Sequence, residues 1–424
     1  MAYNYLFVTL YLRLLKMYLM LKLKFIPFVT CLILACSNTP KNPTAKPVIS
    51  PVTYTPITPQ QKEYYANLIA PLYQSMLLQK GFNGSIIAAK NGEIVFEDYH
   101  GWYDYKRKDS ITALTPFHIA STSKTFTAMV VLRLMEQGKL SIYDDVRKYL
   151  PSFPYENITI KNLLSHRSGL PNYVHFMEGG NTVQVIRKKN KKGRIISVKQ
   201  VITGTKPGFK GIATNKDVLQ FMVNYKPAIE ARPDRAFKYC NTNFALLALI
   251  VEKVTAIDFP RYMMDSVFIP LGMKSSFVFS IKDTSNYHPS YQYNWAPFKF
   301  EKLDCVYGDK NVYSTVRDLL KWDKALYNES FVSARTLSMA FEGYSYEKRG
   351  EHNYGLGWRL IEKPEGRIVY HNGWWHGNNT VFSRLIKDTA TIIIIGNKYN
   401  SNIYKASKMS SVFTGVTDTT KTIE

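Results

Sequence analysis

Cysteine is scarce in this chain: Cys31, Cys36, Cys240 and Cys305 are the only four among 424 residues. No two of them form a Cys-x-x-Cys pair and none joins a cysteine–histidine cluster, so neither a disulfide framework nor a structural zinc site has support. Acidic residues are also few, 32 against 55 Lys and Arg, which leaves a formal charge of +23. That surplus favours contact with anionic material, whether lipid headgroups, wall polymers or nucleic acid, without choosing among them. Long uncharged apolar runs are missing as well, and so is any internal repeat. What remains is 46% hydrophobic, 14% aromatic and 21% charged, the make-up of a packed globular chain with room for one large domain or two ordinary ones.

The amino terminus reads as an export signal. Lys22 and Lys24 precede the apolar run Phe25–Ala35, which ends Ile33-Leu34-Ala35-Cys36. A positive region, a short apolar core and a small residue before the cut describe a signal peptide over residues 1–35, with Met20 the better start. Cys36 after that small residue resembles a bacterial lipobox, which makes it the expected lipidation site. Simple secretion and an uncleaved membrane helix are the alternatives, although the apolar core is only about half the length of a span. Residues 36–60, rich in Pro, Thr, Asn and Lys, read as a tether. The expected location is the bacterial cell envelope, periplasmic or outer-membrane, with the membrane met through the lipid.

A folded domain is expected over 61–415. A helix near Gln60–Gln79 leads into strands Gly84–Ala89 and Glu93–Tyr99, joined at Asn91-Gly92, a dipeptide suited to a type I′ turn. Late in the chain Arg367–His371, Asn379–Ile386 and Thr389–Ile395 read as strands, the last with the buried-strand run Thr391-Ile392-Ile393-Ile394-Ile395. A helix over Ser401–Phe413 closes the chain. Between them Ala128–Gln137, stopped by Gly138, and Phe244–Val254 and Val316–Leu326 read as helices. An α+β fold follows: an antiparallel sheet built from the early and late segments, flanked by helices, with a mainly helical lobe between. The stretch 176–211 is a basic insertion, with Arg187, Lys188, Lys189, Lys191, Lys192, Arg194, Lys199, Lys206 and Lys210 against Glu178. Val183–Ile186 and Arg194–Ile202 suit a second, solvent-facing hairpin there; contact with an anionic surface is the alternative. No stacking-aromatic pattern accompanies these charges, so nucleic acid is not an expected partner.

Chemistry concentrates in three short motifs. In Ser121-Thr122-Ser123-Lys124, a serine at the amino end of a buried helix has a lysine one turn behind it, about 5–6 Å away on the same face. Helix dipole and burial both favour a neutral amine there, able to take the serine proton. Ser-x-x-Lys alone is weak, since it recurs at Ser345–Lys348. The second motif is Tyr239-Cys240-Asn241, ahead of an apolar helix: a phenol to relay a proton and an amide to hold both Lys124 and a substrate carbonyl. The third is His371-Asn372-Gly373, the only His-x-Gly in the chain, at the expected end of a strand where glycine lets backbone N–H groups approach a bound carbonyl.

In that order the motifs resemble the serine β-lactamase and penicillin-recognising superfamily, in its class C β-lactamase and DD-peptidase-like branch. The flanking strings Phe117–Ala120, Leu163–Pro171, Pro270–Met273, Ser314–Leu319 and Tyr354–Trp358 agree, and the match covers roughly 80–397. The resemblance implies a β-lactamase/transpeptidase-like fold and an acyl-enzyme on Ser121. Lys124 and Tyr239 would share general base and acid work, and Asn241 would orient the substrate. The backbone N–H groups of Ser121 and Trp374 would form the oxyanion hole beside His371 and Gly373. It implies no metal and no organic cofactor, and a small-molecule or peptide substrate: an envelope D-amino-acid peptide, a small ester or a β-lactam. Three departures stand out. His371 and Asn372 replace the usual lysine and hydroxyl, and His371 is charged only part of the time near pH 7. Trp374, Trp375 and His376 follow where small residues are common. Asp234 and Cys240 stand where glycine and serine are frequent. Two other readings stay open: an idle member that binds wall fragments or a partner in the same cleft, and an envelope scaffold working through the basic insertion. His118 and His166 are expected to be structural, Trp358 core, Asp318 a helix or ion-pair residue, and Tyr173 either a pocket or an ordinary loop position.

Overall fold

The computed structural model describes residues 53–414 apart from 191–192, 207, 348–349 and 365. The signal peptide, Cys36 and most of the tether lie outside the described residues. Helix α1 (Pro59–Met76) opens the domain. Thr58 caps it, its hydroxyl accepting from Gln61 N–H while Gln61 Oε1 accepts from Thr58 N–H, with Pro59 preset at the first position. Strands β1 (Gly84–Lys90) and β2 (Glu93–His100) follow. Their connection has Asn91 at φ +50° and Gly92 at +70°, the doubly left-handed signature of a type I′ turn.

The helices that matter for the site are α2 (Ser123–Glu136), α3 (Asn241–Thr255) and α4 (Val316–Tyr327). The late strands are β3 (His352–Tyr354), β4 (Arg359–Lys363), β5 (Gly366–Trp375), β6 (Asn378–Leu385) and β7 (Ala390–Gly396). Seven strands form one antiparallel sheet in the order β3-β4-β5-β6-β7-β1-β2. The early hairpin thus docks on the last strand, with Gly84 opposite Gly396 and Lys90 opposite Ala390. The isoleucine run of β7 is buried on both faces. Ile393 and Ile395 join Ile87 in the main core with α2, α3 and α4, while Ile392 and Ile394 join Ile86 in a second core under α1. Strand alternation explains the split, and a sheet covered on both sides explains the unbroken run.

Three segments differ from expectation. Strand β5 continues past His371 to Trp375, because its pairing with β6 persists through Gly373↔Thr380 and Trp375↔Asn378; the third motif lies inside a strand. The closing segment is not one helix but Asn402–Lys405, a 3₁₀ stretch Ala406–Ser410 and Ser411–Thr414. Its buried Ile403, Ala406 and Met409 recur every third residue, the 3₁₀ period. The basic hairpin is longer than expected, pairing Gly180–Lys189 with Ile195–Lys206 as a separate two-stranded sheet.

Candidate active site

Ser121 sits in a single 3₁₀ turn, Ala120–Thr122, between the short strand Phe117–His118 and α2. Ala120 takes φ +48°, a conformation an alanine holds only when its surroundings impose it. His118 imposes part of it: Nδ1 accepts from Ala120 N–H at 3.2 Å and Nε2 lies 3.0 Å from Asn311 Oδ1. Lys124 follows in the first turn of α2 and is fully buried. Its Nζ donates to Ser121 Oγ at 3.1 Å, Asn241 Oδ1 at 2.9 Å and the Asp309 carbonyl at 2.8 Å. Three acceptors from three segments thus hold this nitrogen in one place beside the serine hydroxyl.

Tyr239 and Asn241 stand at the start of α3. The Leu163–Pro171 segment fixes that start: His166 Nδ1 accepts from Cys240 N–H at 3.2 Å and the Pro171 carbonyl accepts from Thr242 Oγ1 at 2.7 Å. The Tyr239 ring lies 5.0 Å from Lys124 Nζ and 4.3 Å from the His166 ring. Asp234 explains its own departure from the family pattern. It takes φ +61°, which suits glycine but which aspartate tolerates, and it accepts from Arg167 Nε at 2.7 Å. Cys240 and Cys305 are both free and buried, and burial pushes each thiol up to about 11.

Strand β5 brings the third motif to the serine. A Cβ on Gly373 would lie 2.4 Å from the Ile119 carbonyl oxygen and 3.2 Å from Ser121 N. Only hydrogen there lets the strand pass against the nucleophile turn. Trp374 follows and is 60% exposed, its ring centroid 5.9 Å from that of Tyr399. His371 does not face solvent. It is fully buried, Nδ1 donating to the Asn372 carbonyl at 2.7 Å and Nε2 lying 3.3 Å from Tyr354 Oη. Burial, then the Arg359 guanidinium, then Lys124 hold it well below the usual histidine range. His371 is therefore a neutral structural imidazole near pH 7, and the partial charge expected of it is absent.

The cation nearest that position is one the sequence reading missed. Arg359, on β4 opposite Tyr370, places Cζ 5.3 Å from the Tyr239 ring. Its Nε is buried with no hydrogen-bond partner, and it has no carboxylate partner among the described residues. Arg359 directly follows the family-like string Tyr354–Trp358, but strand pairing alone brings it beside Tyr239. Tyr173 proves to be neither a pocket nor an ordinary loop residue: it is fully buried and bonded to Asp309 and Lys310. Trp358 is core, and Asp318 accepts from Ser275 N–H and pairs with Lys321.

Three histidines buried without charge give the fold an acid weakness. Burial is the first cause that lowers His118, to about 4, and that holds His166 and His371 well below the usual histidine range. Their folded values lie below the unfolded one, about 6.5, so the unfolded chain binds more protons as pH falls below that value. Stability is then expected to drop between pH 6.5 and about 4, by up to about 1.4 kcal/mol per pH unit for each histidine. Denaturant melts at pH 7 and pH 5 read the slope, and His371→Gln should make it shallower. An unchanged slope in that variant would mean His371 is charged in the fold.

A serine and a lysine on one buried helical turn, a Tyr-x-Asn at the head of a second helix and a glycine strand against the nucleophile define a penicillin-recognising serine hydrolase architecture. The Beta-lactamase family model matches residues 74–403, and the chain belongs to that family of serine hydrolases. It is 30% identical over 352 residues to penicillin-binding protein 4* of Bacillus subtilis, covering 79% of this chain and 72% of the relative. Among solved structures, a penicillin-binding protein from Bacillus halodurans superposes with TM-score 0.64 at 21% identity, over 79% of this chain and 96% of that one. A D-amino acid amidase from Ochrobactrum anthropi superposes with TM-score 0.61 at 18% identity, over 84% and 97%.

Proposed function

We propose that the protein hydrolyses an amide or ester bond of a carboxylate-bearing envelope peptide, through an acyl-enzyme on Ser121. The carrying observation is Lys124 Nζ, 3.1 Å from Ser121 Oγ and anchored on its far side by Asn241 and Asp309. In this reading Lys124 enters as the free amine and takes the hydroxyl proton, becoming an ammonium, as Oγ bonds to the carbonyl carbon. The resulting oxyanion lies between the backbone N–H groups of Ser121 and Trp374. Tyr239 passes the proton to the leaving nitrogen or oxygen as the C–N or C–O bond breaks. Water then attacks the ester with the same groups in reverse. The names of the relatives support a peptide or amide substrate and an envelope location; Cys36 as the lipid attachment rests on the amino-terminal sequence.

The substrate carboxylate is assigned to Arg359. A mostly buried guanidinium without a counter-ion is costly to keep, and beside Tyr239 it is offset when a bound carboxylate arrives. Arg359→Met is expected to lower kcat/KM about tenfold or more for a peptide with a free terminal carboxylate, while the amidated peptide changes less than threefold. Equal losses on both would remove Arg359 from substrate recognition. The reading as a whole is tested by intact mass after a fluorophosphonate probe. One adduct in the wild type and none in Ser121→Ala is the expected result. No adduct in either favours a binding protein using the same cleft, and an adduct that survives Ser121→Ala would place the nucleophile elsewhere.

A further inference from the structure

Behind Lys124 lies a buried polar cluster that the proposed chemistry does not use. Tyr173 Oη donates to Asp309 Oδ2 at 2.9 Å, and Lys310 Nζ donates to Tyr173 Oη at 2.5 Å and to the Val306 carbonyl at 2.9 Å. Lys310 Nζ also lies 3.9 Å from Asp309 Oδ1, and these two side chains are 2% and 1% exposed. Apolar residues of similar volume often replace a buried ion pair without loss of stability, so such a pair is weak evidence for a purely structural role.

Its surroundings indicate another role. The Asp309 carbonyl is the third acceptor of Lys124. Lys310 Nζ sits 4.7 Å over the ring of Trp375, the residue after Trp374. Tyr173 N–H donates to Thr242 Oγ1 at 2.7 Å, the residue after Asn241. The three elements that carry the general base, the oxyanion strand and the substrate amide therefore meet on one cluster. The segment bearing it is laced along α2: Thr127 Oγ1 donates to the Gly308 carbonyl and Val312 N–H donates to Ser123 Oγ. It is held in unusual backbone, with Gly308 at φ +92° and Asn311 at +77°. A Cβ on Gly308 would lie 2.4 Å from the Phe244 carbonyl oxygen of α3, so this segment also sets the gap between α2 and α3.

We infer that Tyr173, Asp309 and Lys310 are positioning residues, which hold Lys124 and the Trp374 end of β5 in mutual register. The inference rests on the hydrolase reading above. Misplacement of about 1 Å in such a constellation is worth up to about a hundredfold in rate.

The test compares purified full-length wild type with Lys310→Met and Asp309→Asn/Lys310→Met. The readouts are the fluorophosphonate labelling rate, kcat and KM on p-nitrophenyl acetate, and Tm. Lys310→Met strands Asp309 in the core and is expected to lower Tm and slow labelling at least tenfold, with kcat falling and KM little changed. The double variant removes both charges, so it should recover Tm yet label as slowly as the single one. If it recovers both Tm and rate, or if Lys310→Met labels at the wild-type rate, the cluster is structural filler and the inference is overturned. Should Lys310→Met fail to fold, Tyr173→Phe keeps the ion pair and must show the same loss of kcat without loss of KM. A wild type that takes no label overturns the hydrolase reading and this inference together, which separates the two failures.

Discussion

Replacing Lys124 by methionine is expected to slow fluorophosphonate labelling of Ser121 by about a thousandfold or more, the upper part of the range for removing a general base, while leaving the fold intact. The reasoning is geometric. Lys124 Nζ lies 3.1 Å from Ser121 Oγ, and Tyr239, the other candidate base, has its ring 5.0 Å from that same nitrogen. Removing the amine thus takes away the group hydrogen-bonded to the serine hydroxyl. Stability should move by much less. Methionine leaves Asn241 Oδ1 and the Asp309 carbonyl without their donor, which costs about 1–3 kcal/mol each, but it also removes a fully buried polar group, whose desolvation is of the same order. Labelling rate and Tm measured on one preparation separate the two effects. A variant that labels within tenfold of wild type would hand the base role to Tyr239.

The early hairpin and the centre of the sheet were readable from short local signals: one type I′ dipeptide, Asn91-Gly92, and one strand with four consecutive isoleucines leave few alternatives. The helix that follows Ser121 was readable from its apolar faces and its Gly138 stop. The motif residues Ser121, Lys124 and Asn241 are brought together, and each sits at the start of a helix, where local sequence fixes the backbone. What sequence hid depends on pairing across the sheet or on depth. His371 looks like a pH-responsive cation on paper, yet burial and two nearby cations hold it neutral. Arg359 lies outside every strand expected from the sequence, yet it pairs with Tyr370 and comes to lie beside Tyr239. Asp309 and Lys310 carry no local signal at all, and only the close passage of α2, α3 and β5 encloses them. Charged residues are where sequence and structure part, because their behaviour depends on solvent and neighbours that no local pattern encodes.

The largest stability loss is expected at another buried charge, on the sheet side of α4. Asp323 Oδ1 accepts from Arg384 Nε at 2.5 Å and Oδ2 accepts from Thr391 Oγ1 at 2.6 Å, with both partners of the pair at most 2% exposed. The guanidinium is enclosed by Tyr327, Phe341 and Trp358, its Cζ 4.4, 5.6 and 5.8 Å from their rings. This clasp ties α4 to β6 and β7, so it holds the helical lobe to the sheet. Asp323→Ala strands a guanidinium that cannot lose its proton, and about 3–5 kcal/mol of stability should go with it. Arg384→Met should cost less. Burial already raises the Asp323 carboxyl above the usual aspartate range, against the pull of Arg384, so the orphaned acid can neutralise itself by keeping a proton. The double variant Asp323→Leu/Arg384→Met should lie closest to wild type, since neither charge remains to be solvated. Denaturant unfolding of the three proteins at pH 7 gives the order directly. A reversed order of the two single variants would mean that the aromatic packing of Arg384, rather than its charge, is what the sheet depends on here.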